Sequence, residues 1–153
     1  MQDLILDDGL VQNEVKLVKA SNGIRFVNFL LDYIFVIILM IGVFVFFDVF
    51  GIMDIDDEES LLDDLLGIVV YILYYTLTEG GLKGKSLAKY LTGTRVVNLD
   101  GTLPDFNTAV KRSLSRIVPF EAFSFLFADT GWHDDWTDTR VIVEKESVLP
   151  AEF

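Results

Sequence analysis

Two long apolar stretches interrupt an otherwise polar chain. The first covers residues 26–47, in which Asp32 is the single charged residue. At about 1.5 Å per residue, a helix of that length spans roughly 33 Å, enough for a hydrocarbon core of about 30 Å. Because its second half is apolar on every face, the pattern predicts a membrane-spanning helix rather than the buried helix of a soluble domain.

The second apolar stretch, residues 65–78, has 14 uncharged residues, or about 21 Å as a helix. To span a membrane it must also use residues 61–62 or 79–82. The connector between the stretches, residues 48–64, carries eight acids and no base. Together these features predict a two-helix transmembrane hairpin over residues 25–82, joined by an acidic connector.

Short elements follow the second stretch. A short amphipathic helix is predicted over residues 86–91, a strand over 94–99 and a helix over 105–116 with Asp105 as its N-cap. Residues 139–143 repeat the pattern of the first strand and are predicted to pair with it, whereas residues 14–19 suggest another brief strand. The apolar residues 117–128 are too few to cross a bilayer and are interpreted as interfacial or re-entrant.

The charge is distributed unevenly along these segments. The chain has 24 acids and 12 bases, a net charge of −12, and a mean hydropathy of +0.44. All 12 bases lie outside residues 26–82, so the positive-inside rule predicts cytoplasmic N- and C-termini and an external connector. The excess of acids argues against nucleic acid as a partner. Membrane lipids are the expected surroundings.

The predicted fold is therefore a mainly α membrane protein with a two-helix transmembrane hairpin and a cytoplasmic or interfacial part of amphipathic helices and short β-strands. Its expected segments are a cytoplasmic N-terminal segment (1–24), the hairpin (25–82) with its external connector (48–64), a cytoplasmic membrane-associated region (83–146) that includes the interfacial or re-entrant segment (117–128), and a tail (147–153). A multi-pass protein of a plasma membrane is expected.

Charge inside a membrane span is costly, about 2.5 to 3.5 kcal/mol at a helix centre, so Asp32 needs a reason. Arg25, Asn28 and Asp32 fall within about a 60° arc of one helix face, which is predicted to point inward. Asp32 is expected to reach Arg25 through Asn28, or a base elsewhere. The candidate bases are Lys89, Arg112 and Arg116. Either Asp32 pins the helix to a partner, or it serves ion binding or transport.

The other candidate is the lone histidine, His133, next to Asp134. An adjacent His-Asp pair occurs in metal-dependent phosphohydrolases, but those need further histidines that this chain lacks. The acidic connector lacks the glycine of an EF-hand loop, and no phosphate-binding glycine motif occurs. No metal, cofactor or enzymatic activity is expected, and His133 is grouped with the residues available for ion pairing.

Four motifs, in order, resemble the RDD family of small bacterial membrane proteins, which is named for one arginine and two aspartates. They are GIRFVNFLLDYI (23–34), GLKGKSLAKYLTGTRVVNLDG (81–101), RSLSRIVPFEAFSF (112–125) and GWHDDWTDTRVIV (131–143). The resemblance identifies Arg25, Asp32 and Asp134 as the signature residues. Ala88 stands where the family usually has glycine, and the acidic connector is not part of the family pattern.

The resemblance implies a multi-pass inner-membrane protein whose activity is poorly defined. We expect a structural or accessory subunit of a membrane protein assembly, as a homo-oligomer or with other subunits. The alternative is an oligomeric transporter or ion-pathway subunit, similar to Na⁺/H⁺ antiporters, that uses Asp32.

Overall fold

The computed structural model of the chain describes residues 15–52, 61–119, 121, 124 and 131–150. The described elements are helices α1 (Asn22–Val49), α2 (Leu61–Gly81) and α3 (Leu87–Thr92), strand β1 (Thr94–Asn98), helices α4 (Phe106–Ser115) and α5 (Trp132–Asp135), strand β2 (Thr139–Val143) and a 3₁₀ turn (Glu144–Glu146). The fold is mainly helical, as predicted, with two long apolar helices and one small sheet.

Helices α1 and α2 are long enough and apolar enough to cross a membrane. Only 11% of the most apolar part of α1, and 28% of that of α2, is buried within the protein. Most of their apolar side chains therefore face outward, unlike those of a helix in a soluble core.

Both helices are longer than the apolar pattern predicted. The Ser21 side chain accepts a hydrogen bond from the backbone N–H of Ile24 and starts α1 before its first apolar run. Helix α2 runs from Leu61 to Gly81, so it includes residues on both sides of the second apolar stretch. The predicted connector is thus helical at both ends, and most of its acids lie outside the described residues.

The early part of α1 packs against the late part of α2. Val36, Tyr74 and Tyr75 form one buried cluster between the two helices. Further along α1, Met40 lies so close to Gly67 that a Cβ there would come within 2.8 Å of the Met40 side chain. Where they touch, the two helices therefore run in opposite directions.

The predicted pairing of the two similar strands is confirmed. Strands β1 and β2 are antiparallel, with Thr94 opposite Val143 and Asn98 opposite Thr139. The brief strand predicted at residues 14–19 does not form as a continuous strand, but its described part pairs antiparallel through isolated bridges, from Lys16 to Val148 and from Lys19 to Ile142 of β2. The segments before α1 and after β2 consequently lie side by side.

The short helices begin and end as predicted. The side chains of Ser86 and Asp105 accept hydrogen bonds from backbone N–H groups in the first turns of α3 and α4. Helix α3 ends at Gly93, which adopts a left-handed φ of 67°. Of the segment 117–128, only residues 117–119, 121 and 124 are described, so its interfacial or re-entrant placement lies largely outside the described residues.

The turn after α2 fixes that helix against the sheet. Gly84 has a φ of 81°, and a Cβ at this position would lie 2.3 Å from the carbonyl oxygen of Val96. Its N–H donates to the carbonyl of Glu79, and its own carbonyl accepts from the N–H of Val96. Only glycine fits this close approach, which ties the end of α2 to β1.

Candidate functional site

Charged side chains that are buried come together where the five helices α1 to α5 meet. Each has at most 10% of its side chain exposed. We call them the buried charge cluster, and its members are Arg25, Asp32, Glu79, Lys89, Arg112, Arg116, Glu121, His133 and Asp134. Four carboxylates face four Lys or Arg side chains, so the cluster is neutral when His133 is uncharged.

Glu79 is the acid with the most cationic partners in this cluster. Its side chain is fully buried and lies 2.8 Å from the Lys89 Nζ, 3.0 Å from the Arg112 Nε and 3.0 Å from an Arg116 Nη. Its two oxygens thereby connect the end of α2 to α3 and α4. A buried carboxylate remains ionised in such surroundings because charge-assisted hydrogen bonds replace its hydration.

Asp134 is the second acid that bridges elements. One carboxylate oxygen lies 2.7 Å from an Arg25 Nη on α1, and the other lies 2.7 Å from an Arg112 Nη on α4. Arg112 also donates to the Thr139 hydroxyl. Because Arg112 contacts both Glu79 and Asp134, it links α2 to α5, and Arg25 extends the link to α1.

The protonation state of Asp134 follows from this environment. Burial by itself would raise its pKa, but the cationic groups around it outweigh burial and hold the pKa of Asp134 well below its ordinary value. Those groups are Arg112 and Arg25, and the His133 ring adds to them when it is protonated. Asp134 is therefore a carboxylate at neutral pH and acts as an acceptor for both guanidinium groups.

Asp32 has a different role from the other acids. Its Oδ1 accepts from the Tyr74 hydroxyl at 2.6 Å and from the Ala88 N–H at 3.1 Å, and its Oδ2 accepts from the Ser86 hydroxyl at 2.6 Å. Within the described ranges, no base lies within ion-pair distance of Asp32, in contrast to the pairing expected from the sequence. Instead, Asp32 ties α1 to α2 and to the start of α3.

Asn28 completes the polar face of α1. Its amide nitrogen donates to the Thr94 hydroxyl at 2.9 Å, and its amide oxygen accepts from the Thr92 hydroxyl at 2.6 Å. Arg25, Asn28 and Asp32 are all buried, as the helical spacing predicted. Asn28 therefore does not relay Arg25 to Asp32 but holds the junction between α3 and β1.

The lone histidine pairs with an acid that precedes it. The His133 ring contacts the Glu121 carboxylate through Nδ1, and the backbone N–H of His133 donates to the same oxygen at 3.2 Å. Burial and the charge of Arg116 lower the pKa of His133. The ring is therefore neutral at pH 7.

Sequence reasoning found most of this cluster but missed two of its acids. The structure places seven of the eight candidate residues in it, namely Arg25, Asp32, Lys89, Arg112, Arg116, His133 and Asp134, and Asn28 lies beside it on α1. In the sequence, Glu79 falls within the flank 79–82 of the second apolar stretch, and Glu121 falls within the apolar segment 117–128. A signal existed for both, because each is a lone acid beside a run of apolar residues, which indicates a buried partner.

The contacts of the buried charge cluster connect separate structural elements to one another. The described residues contain no group of three or more His, Asp or Glu side chains that could hold a metal ion. Each carboxylate accepts from named donors on another element. The arrangement connects the five described helices and the sheet around a small cavity of about 30 Å³.

Removing the charge of Glu79 tests its role. In Glu79→Gln, three buried cations lose a carboxylate, and we expect a loss of about 3–5 kcal/mol in unfolding free energy. The matched control is Glu144→Gln, because Glu144 also contacts two bases but is 32% exposed. That change should cost less than about 1 kcal/mol. Unfolding followed in one detergent gives the comparison, and equal losses would contradict the importance of burial.

The lowered pKa of His133 predicts a pH dependence. The unfolded chain takes up a proton near pH 6.5, whereas the folded protein does so only at lower pH. The resulting stabilisation is complete above pH 6.5 and is lost as the pH falls from there through the folded pKa.

The variant His133→Asn should remove this part of the pH dependence. Because His133 is the only histidine, no other side chain has an ordinary pKa in that range. Thermal unfolding midpoints between pH 7.5 and 5.5 provide the measurement. A variant that declined as steeply as the wild type would show that His133 is not the cause.

One comparison with known proteins gives a match. A model of the RDD family matches residues 19–132, which include Arg25, Asp32 and Glu79. Asp134 lies two residues beyond that match. No curated protein and no solved structure matches the chain significantly. The family match and the two apolar helices indicate a membrane protein, and the chain belongs to the RDD family.

Proposed function

We propose that the protein is a structural or accessory subunit of a membrane protein assembly. The observation that supports this most directly is the continuous chain of buried ion pairs from Glu79 through Arg112 and Asp134 to Arg25. It fixes both apolar helices to the part of the chain that follows them. A region held together by these ion pairs presents a rigid surface on one side of a membrane. Such a surface suits contact with other subunits.

The orientation is part of the proposal. The segments before α1 and after β2 lie side by side, so they belong on one side of the membrane. That side carries Lys85, Lys89 and Arg112, while none of the described residues of α1 beyond Arg25 or of α2 is a base. By the positive-inside rule this side is cytoplasmic, in a plasma membrane, and the connector between α1 and α2 is external.

The alternative is an oligomeric ion-pathway subunit that uses Asp32. It is favoured by one observation, that Asp32 lines the polar cavity. Both Asp32 oxygens, however, accept hydrogen bonds from groups that hold α3 in place. A residue with that task is costly to move during a transport cycle because its hydrogen bonds would be lost, so we prefer the structural role.

Single cysteines test the orientation, and the chain offers a cysteine-free background. We would place one at Ile52, which is 60% exposed after α1, and one at Lys145, which is exposed after β2. In sealed right-side-out vesicles, a membrane-impermeant thiol reagent should label Ile52→Cys at once and Lys145→Cys only after permeabilisation. Immediate labelling of both, or the reverse pattern, would contradict the orientation.

Purification from native membranes tests the role as a subunit. We expect extraction in mild detergent to yield a complex with another membrane protein in fixed ratio, and a tag on that protein should recover this chain in return. The variant Glu79→Gln should reduce the amount of the other membrane protein that is recovered with this chain, whereas Glu144→Gln should not. Isolation of this chain alone as a homo-oligomer would contradict the accessory role and favour the alternative.

A further inference from the structure

A polar cavity of about 30 Å³ lies within the buried charge cluster. The charged and polar side chains around it are Arg25, Asn28, Asp32, Lys89, Arg116, Glu121 and His133. Phe29, Tyr75 and Val141 complete its wall. A space that is both buried and polar is normally filled by something that can hydrogen-bond.

Two donors at this cavity have no acceptor among the described residues. They are the Nε–H groups of Arg25 and Arg116, whose side chains are 4% and 10% exposed. The outer nitrogens of the same guanidinium groups are already used, since Arg25 binds Asp134 and Arg116 binds Glu79. Buried cationic donors without an acceptor are costly, so an acceptor is missing from this site.

The acids at the cavity are already engaged. Asp32 accepts from Tyr74, Ser86 and Ala88, and Glu121 accepts from His133. Neither carboxylate therefore supplies the missing acceptor for the two Nε–H groups in the described structure.

The charge of the surroundings favours an anion over a neutral acceptor. Lys89, Arg112 and Arg116 share the single charge of Glu79, and Arg112 and Arg25 share that of Asp134. Among the groups that line the cavity, the cations Arg25, Lys89 and Arg116 outnumber the acids Asp32 and Glu121 by one when His133 is uncharged. The lining therefore carries one positive charge, and the low polarity of the site strengthens its attraction for an anion.

The size of the cavity limits the ligand. A single water molecule needs about 10–15 Å³ of such space, so about 30 Å³ leaves room for a larger monatomic ion. We propose that the cavity binds one chloride ion, or a similar monovalent halide, through the Nε–H groups of Arg25 and Arg116.

Chloride binding is measured on the whole protein purified in detergent, with the sodium concentration held constant and gluconate replacing chloride. The ³⁵Cl NMR line should broaden in proportion to protein, and bromide should reverse the broadening by competition. The thermal unfolding midpoint should rise when chloride or bromide replaces gluconate, because a ligand stabilises the state that binds it.

Two variants test whether the broadening of the chloride line arises from binding at this cavity. Arg25→Lys and Arg116→Lys keep the positive charge but remove the Nε–H donor, and each should return the linewidth to that of buffer. The control is Arg95→Lys, because Arg95 pairs with Glu144 away from the cavity and should leave the broadening intact.

The wild-type protein alone can overturn the proposal, even where a variant fails to fold. If its ³⁵Cl linewidth equals that of detergent buffer, the cavity holds water only. Equal unfolding midpoints in chloride and gluconate would lead to the same conclusion. Broadening that persists in both folded Lys variants would show that chloride binds elsewhere on the protein.

Discussion

The structure depends on the removal of four cations and their acids from water. Arg112 is fully buried between Glu79 and Asp134, and these two carboxylates also hold Arg25, Lys89 and Arg116. Desolvation of each charge costs several kcal/mol, and only close partners offset that cost. The elements that carry these side chains must therefore keep their relative positions, which explains why short helices and a two-stranded sheet are well ordered beside two apolar helices.

Individual hydrogen bonds and one glycine turn let the backbone bring these charged side chains together. Asp32 binds the start of α3, and Gly84 lets the turn after α2 approach β1. Together they place Lys89 next to Glu79 and bring β2 beside β1. The cluster also leaves a polar cavity, because guanidinium groups are planar and their donors cannot all point at two carboxylates. A structural role and a bound ion are compatible in one site.

Much of the fold could be predicted because its signals are local. The apolar runs indicated α1 and α2, the residues Ser86 and Asp105 marked helix starts, and two similar strands indicated the sheet. The inward face of Arg25, Asn28 and Asp32 followed from helical spacing. The partners of these residues did not follow, because Arg25 and Asp134 are separated by 109 positions and spacing carries no information at that range.

The sequence alone determined where the charge lies: no base falls within residues 26–82, and eight of the 24 acids lie in the connector between the two apolar stretches. It also determined which residues belong to the buried face, since a lone charge in an apolar helix must find a partner. Only the tertiary structure decided the pairing, in which Glu79 rather than Asp32 holds the cations. The physical reason is that pairing depends on which long side chains reach one another across elements, and Asp32 is already satisfied by hydroxyl and amide donors.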